Sequence, residues 1–296
     1  MVSFSILQDR GLLTVSGADR SSFLQGLISN DIHSVTPERA VWSALLTPQG
    51  KYLYDFFIAE FEGRYLIDCE AARLMDLGRR LSKYKLRASV DLGKEEGMAV
   101  LAVYGAGVGK YFGLRENPGE VAAFRDGIAF VDPRLVDVGV RAILGKESAK
   151  AALESIDLEE VAAESYDSFR LGFGVPDGSR DMIVEKSILL ESNFEELNGV
   201  DWDKGCYMGQ ELTARTKYRG LLKKRMVPVK IEGHEPSLGA PIFCDKRQVG
   251  EMRSARSGLG IALIRLEYLE RAISGEIKLI AEGSVITPRK PDWANF

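Results

Sequence analysis

Hairpins of short apolar runs alternate along this chain with a few stretches of helical spacing. Such alternation does not fit a regular parallel βαβ series and predicts an α+β fold of mixed layers. Residues 11–16 alternate as a strand, Gly17 breaks it, and Asp19 is placed to cap a helix with Phe23, Leu24, Leu27 and Ile28 on one face. Val41–Leu46 and Tyr52–Phe61 read as a hairpin around Thr47-Pro48-Gln49-Gly50. A strand over 64–69 precedes Leu74, Leu77, Leu81 and Tyr84 at helical spacing, and residues 87–92 read as extended again. Residues 147–153 and 158–171 read as helices, the second ended by Gly172, Gly174 and Pro176. After Arg225 the texture changes. Runs at 226–231, 239–244, 248–251, 259–264 and 276–281, separated by Gly, Pro and Asp, predict a small all-β barrel or sandwich beyond a boundary near Leu222.

A chain of 296 residues is long enough for two or three domains. The net charge of −4 argues against a surface built for direct nucleic-acid binding. Three dispersed cysteines, Cys69, Cys206 and Cys244, make no disulfide framework and suit a reducing compartment. The first ten residues lack the basic and apolar segments of a secretory signal, and the longest nearly apolar run, 98–108, is too short and glycine-rich to span a bilayer. The expected location is the cytoplasm, away from membranes.

The densest chemistry lies in Lys204-Gly205-Cys206-Tyr207-Met208-Gly209-Gln210-Glu211. Read as the start of a helix running on through 210–216, the segment sets Cys206 beside a cation and a helix N-terminus, both of which favour the thiolate. The alternative is an inert, buried thiol. A cysteine-protease nucleophile needs a histidine base, and neither His33 nor His234 sits in a recognisable motif. Three cysteines and two histidines, all dispersed, offer no self-contained zinc or iron–sulfur site, so no metal is expected. The turn Gly105-Ala106-Gly107-Val108-Gly109-Lys110 misses the dinucleotide fingerprint at Lys110 and the Walker loop at Tyr111, leaving a glycine-rich structural turn.

Asp55 stands among apolar and aromatic residues in Tyr52–Phe61, where a carboxylate must be paired, hydrogen-bonded or neutralised. It makes a structural hydrogen bond to a loop, stands at an exposed edge, or meets a flat heteroaromatic ligand such as a pterin. Arg215, Lys217, Arg219, Lys223, Lys224 and Arg225 form a basic run, either a solvated face or a contact for a polyanion.

Together these residues resemble the YgfZ family of folate-binding, iron–sulfur-linked proteins, relatives of the glycine-cleavage T-protein, an aminomethyltransferase. The family signature K-G-C-Y-x-G-Q-E is matched in full by Lys204 to Glu211. Thr213-Ala214-Arg215 and Lys217-Tyr218-Arg219-Gly220 resemble its continuation. Ser16-Gly17-Ala18-Asp19, Phe23-Leu24-Gln25-Gly26 and Ser29-Asn30-Asp31 resemble its N-terminal motif, and Leu46-Thr47-Pro48-Gln49-Gly50-Lys51 with Asp55 its central hairpin. The resemblance implies a T-protein-like ring of domains around a central folate channel. Residues 1–222 would then be a folate-binding region of two mixed α/β subdomains, and 223–296 a C-terminal β-barrel. It further implies tetrahydrofolate, or another reduced folate, as cofactor. Tyr166 matches an aromatic of the folate pocket, Arg10 falls where another pocket aromatic occurs, and Asp55 stands near the T-protein's acid next to the folate amine. Glu191 resembles a polar position of the strand before the signature, and Arg219 belongs to the pocket through the signature's continuation.

Two roles follow. One is a folate-binding accessory protein for iron–sulfur cluster assembly or repair, serving 4Fe–4S enzymes such as radical-SAM tRNA modification enzymes and meeting client or assembly proteins through Cys206. The other is a folate-dependent aminomethyl or one-carbon transferase using Asp55. T-proteins lack the octapeptide, which favours the first and leaves enzymatic turnover open.

Overall fold

The computed structural model describes residues 2–220 and 222–295. Residue contacts divide the chain into two compact units: Met1–Leu46, Leu53–Tyr166 and Leu197–Met208 form one, and Thr47–Tyr52, Asp167–Glu196 and Gly209–Phe296 the other.

The first unit is built on two sheets. One has the strand order Val41–Leu46, Tyr52–Phe61, Arg64–Glu70, Arg10–Ser16, Asp91–Glu95. Val41–Leu46 is buried at every position and Tyr52–Phe61 at its first eight, so both faces of these strands are covered. Helix Leu74–Lys85 turns Leu74, Leu77 and Leu81 inward at i, i+3 and i+7, against strands Arg10–Ser16 and Asp91–Glu95. Tyr84, expected on that face, is exposed. The other sheet has the order Glu159–Glu160, Ser3–Ile6, Met98–Tyr104, Val140–Gly145, Gly127–Val131, Val121–Phe124. The glycine-rich turn after Met98–Tyr104 becomes a 3₁₀ segment, Val108–Phe112, which drops Val108 and Phe112 into this sheet's core.

Three local expectations are corrected. Helix Arg20–Gln25 forms, but the Asp19 carboxylate does not cap it; its Oδ2 accepts from the Ser89 amide at 2.7 Å. The strand expected over 87–92 lies at Asp91–Glu95, because Leu86 at the helix end adopts a positive φ of 44° and the chain turns before extending. The helix expected over 158–171 starts only at Ala163, because Glu159–Glu160 pairs in parallel with Ser3 and Phe4.

The two sheets are joined by a buried ion triad. Asp68, on Arg64–Glu70, accepts from Arg10 Nε at 2.7 Å and from Arg141 of the second sheet at 2.8 Å, and its side chain is fully buried. Arg141 lies 4.0 Å from the Phe57 ring centre and Arg134 4.8 Å from it. Arg134 in turn pairs with buried Asp132 at 2.7 Å. Buried guanidinium groups persist only when paired in this way.

In the second unit the Thr47–Gly50 turn is tight. Gly50 has φ +80°, and a Cβ there would come within 2.6 Å of the Gly209 carbonyl oxygen and 2.5 Å of Leu212 Cβ. Glycine is therefore required both for the turn and for the close approach. The barrel runs Lys224–Glu232, Leu259–Arg265, Arg247–Arg256, Pro241–Cys244, Leu279–Ala281, Ser284–Pro288 and closes on itself. Val227, Val229, Ile231, Ile242, Met252, Ile264 and Ile286 fill its interior, and closure removes sheet edges. The closing strand and helix Leu266–Ile273 were not legible as separate elements. Asp167 and Arg170 of helix Ala163–Phe173 tie it to this unit: Arg170 pairs with Asp181 at 2.6 Å and Asp167 with Arg256 at 2.9 Å. No helix among the described residues is long and apolar enough to cross a membrane.

Removing the triad's acid takes away the carboxylate that two buried arginines share. Asp68→Ala is therefore expected to destabilise the protein by about 3–5 kcal/mol, read from the urea midpoint. A loss below about 1 kcal/mol would show that the triad does not hold the sheets.

Candidate functional site

The octapeptide does not enter its helix at the thiol. Helix Gln210–Tyr218 begins four residues after Cys206, with Gly209 in the left-handed region as its N-cap. Cys206 stands exposed in the preceding loop, whereas Cys69 is buried and burial pushes its thiol up to about 12.

The neighbouring cation is also not turned to the sulfur. Lys204 Nζ donates to the carbonyl oxygens of Gln25 at 2.9 Å, Ile28 at 2.7 Å and Asn30 at 2.7 Å. Three donors meet three acceptors, the full capacity of an ammonium. Burial brings the Lys204 ammonium down to about 8, against the pull of Asp31 and Asp201, which favour its charge. Further bonds lace the same segments. Gln25 Nε2 donates to the Lys204 carbonyl and to Asp31, Ser29 Oγ to the Gly199 carbonyl, and Asn30 Nδ2 to the Asn198 carbonyl. The Met208 amide donates to Gly26 O at 3.0 Å, and Asp201 Oδ1 accepts the amides of Asp203 and Lys204. The Phe23-to-Asp31 motif and the signature, far apart in sequence, are thus one hydrogen-bonded assembly. Cys206 sits between its anchors, with Lys204 on one side and buried Tyr207 on the other.

Asp55 is buried at 2% exposure and accepts from the indole Nε1 of Trp42 at 3.0 Å. Trp42 is fully buried, and its own carbonyl accepts from Asn30 Nδ2 at 2.8 Å. A continuous path therefore runs from Lys204 through Asn30 and Trp42 to Asp55. Sequence reading missed Trp42, although a buried indole N–H needs an acceptor and an acid on the adjacent strand supplies one. It also missed Asp68, which carries the mark that singled out Asp55, an acid inside an apolar strand.

The other expected pocket residues fall into separate settings. Tyr166 is buried against Tyr104, ring centres 5.4 Å apart, and burial raises the Tyr104 phenol. Arg10 is committed to Asp68 through both its Nε and a second bond to the Asp68 carbonyl. Glu191 lies in the second unit, in the 3₁₀ turn Leu189–Ser192; burial raises its carboxyl, opposed by Lys224, Lys51 and Arg253. Arg219 is exposed at the C-terminal end of helix Gln210–Tyr218, and Gln210 and Glu211 open that helix. Of the basic run, Lys217 pairs with Glu195 and Arg225 with Glu196, each at 2.5 Å.

Known proteins match this arrangement. Residues 223–296 match a family model described as the C-terminal β-barrel domain of CAF17. The chain is 30% identical to the iron–sulfur cluster assembly factor IBA57, mitochondrial, of Mus musculus, over 97% of this chain and 84% of that protein. It is 31% identical to the Homo sapiens protein of the same name, with the same coverage. Among solved structures, the glycine cleavage system aminomethyltransferase T from Bartonella henselae superposes with a TM-score of 0.78 at 16% identity, covering 99% of this chain and 86% of that one. The chain therefore has the T-protein-like fold with a C-terminal β-barrel, as expected. The mitochondrial designation of its relatives corrects the cytoplasmic expectation. Dispersed free cysteines suit any reducing compartment and do not separate the two. By its identity to these relatives over more than four-fifths of their length, the chain belongs to the IBA57 family of iron–sulfur cluster assembly factors.

Proposed function

We propose that this protein serves iron–sulfur cluster assembly as a folate-binding accessory factor, in which Cys206 is the functional thiol and Asp55 and Tyr166 hold a reduced folate. Its clients under this reading are 4Fe–4S enzymes, radical-SAM tRNA modification enzymes among them. The observation that carries it is the presentation of Cys206: exposed, between two anchored residues, on an assembly hydrogen-bonded through Trp42 to Asp55. A buried structural thiol has no use for such a mounting, and Cys69 shows what one looks like here.

The folate reading fits the donor chemistry of the first unit. A pterin is flat and bears N–H donors. It suits an aromatic pair such as Tyr104 and Tyr166 and a carboxylate such as Asp55, which already accepts the Trp42 indole N–H. Arg10 is held by Asp68. When bound, a reduced folate supplies a carrier for one-carbon units. The residues named here bind and orient it. The T-protein-like fold alone does not separate accessory factor from transferase. The exposed, anchored thiol favours the accessory role.

Two experiments bear on this reading. Calorimetric titration with tetrahydrofolate is expected to give saturable heat, weakened at least about tenfold in Asp55→Ala. No saturation up to millimolar ligand would remove folate from the function. In a deletion strain, Cys206→Ser is expected to leave 4Fe–4S enzyme activity near the uncomplemented level while the purified variant keeps its folate heat. Full restoration by Cys206→Ser would take the thiol out of the mechanism.

A further inference from the structure

The loop that displays Cys206 is held on both sides of the thiol. Gly205 has φ +89°, and a Cβ built there would meet nothing within 4 Å. Asp203, Gly205 and Cys206 are exposed, whereas Tyr207 is buried. Polar anchors flank the thiol: the Met208 amide on Gly26 O on one side, and on the other the Lys204 side chain reaching back across the chain.

We propose that Lys204 is the positioning residue of this site, its ammonium bound by the Gln25, Ile28 and Asn30 carbonyls so that the 203–208 loop keeps one conformation and Cys206 one direction of approach. The inference rests on the reading of Cys206 as the functional thiol.

The Gln25 carbonyl belongs to the last turn of helix Arg20–Gln25, where carbonyls lack intrahelical partners, and the Ile28 and Asn30 carbonyls follow in the segment behind it. A cation from elsewhere in the chain satisfies them together. Methionine fills the same volume but strands three carbonyls. Arginine keeps the charge, yet its planar fork does not match acceptors that converge on a point. The charge and ring groups facing the ammonium are Asp31, Asp201 and the Tyr207 ring, 5.2 Å from Nζ. Lys204 does not act on the sulfur directly. Its ammonium has all its donors engaged, and it differs in this from a cation that activates a thiolate.

Hydrogen exchange of the Met208 amide reads the loop. Lys204→Met is expected to lower its protection about tenfold or more at pH 7, with Lys204→Arg intermediate and barrel amides such as Val229 unchanged. Unchanged Met208 protection in Lys204→Met overturns the positioning role whatever Cys206 does. In the deletion strain Lys204→Met is expected to lower 4Fe–4S enzyme activity several-fold and Cys206→Ser to abolish it. Full activity of Cys206→Ser overturns instead the functional reading on which the inference rests.

Discussion

Asp68 holds the first unit together. Its carboxylate is out of water, yet it binds an arginine from its own sheet and another from the neighbouring sheet. Arg141, Arg134 and Phe130 crowd around Phe57 at the same junction. Charges are costly in such a place, and a hydrophobic substitute of equal volume can match or exceed a buried triad in stability. What a triad supplies is register, because two fixed arginine directions must meet one acid. Arg10 and Asp68 face each other's strands, and Tyr52–Phe61 beside them carries Asp55. The geometry of Asp55 and Trp42 is thereby tied to that of the sheet junction.

Much of this architecture was legible in the residues. The Thr47-to-Gly50 turn, the strands around it and the leucine spacing of helix Leu74–Lys85 appear where the sequence places them, since each is decided by local apolar periodicity and turn chemistry. The misses arose where a distant partner overrode local preference. Glu159 and Glu160 have the look of a helix start but pair with the strand Ser3–Ile6. Asp19 has a capping residue's position but serves Ser89 instead. The closing barrel strand Ser284–Pro288 is short and broken by polar residues, and only its two neighbours in the closed sheet define it.

The site shows the same division. Its residue types were readable and its connections were not. Lys204 beside Cys206 predicts an activating cation, whereas tertiary structure spends that cation on three carbonyls from the Gln25–Asn30 segment. Proximity along a chain says little about direction, because a lysine's long side chain can turn away from its neighbour. The octapeptide pointed to the process that the family comparisons support, and the folded chain explains why a glycine, a lysine and a tyrosine travel with the cysteine.

The bonds that Lys204 makes in mounting Cys206 join residues 174 to 179 positions apart. The carbonyls are made early in synthesis and the ammonium late. A growing chain thus carries its acceptors long before the donor emerges, and no truncated product ending before Lys204 can assemble the mount. Display of the thiol is in this sense a record of synthesis past the signature: only a chain that has passed residue 208 and folded that segment onto residues 25–30 presents Cys206 in its final setting.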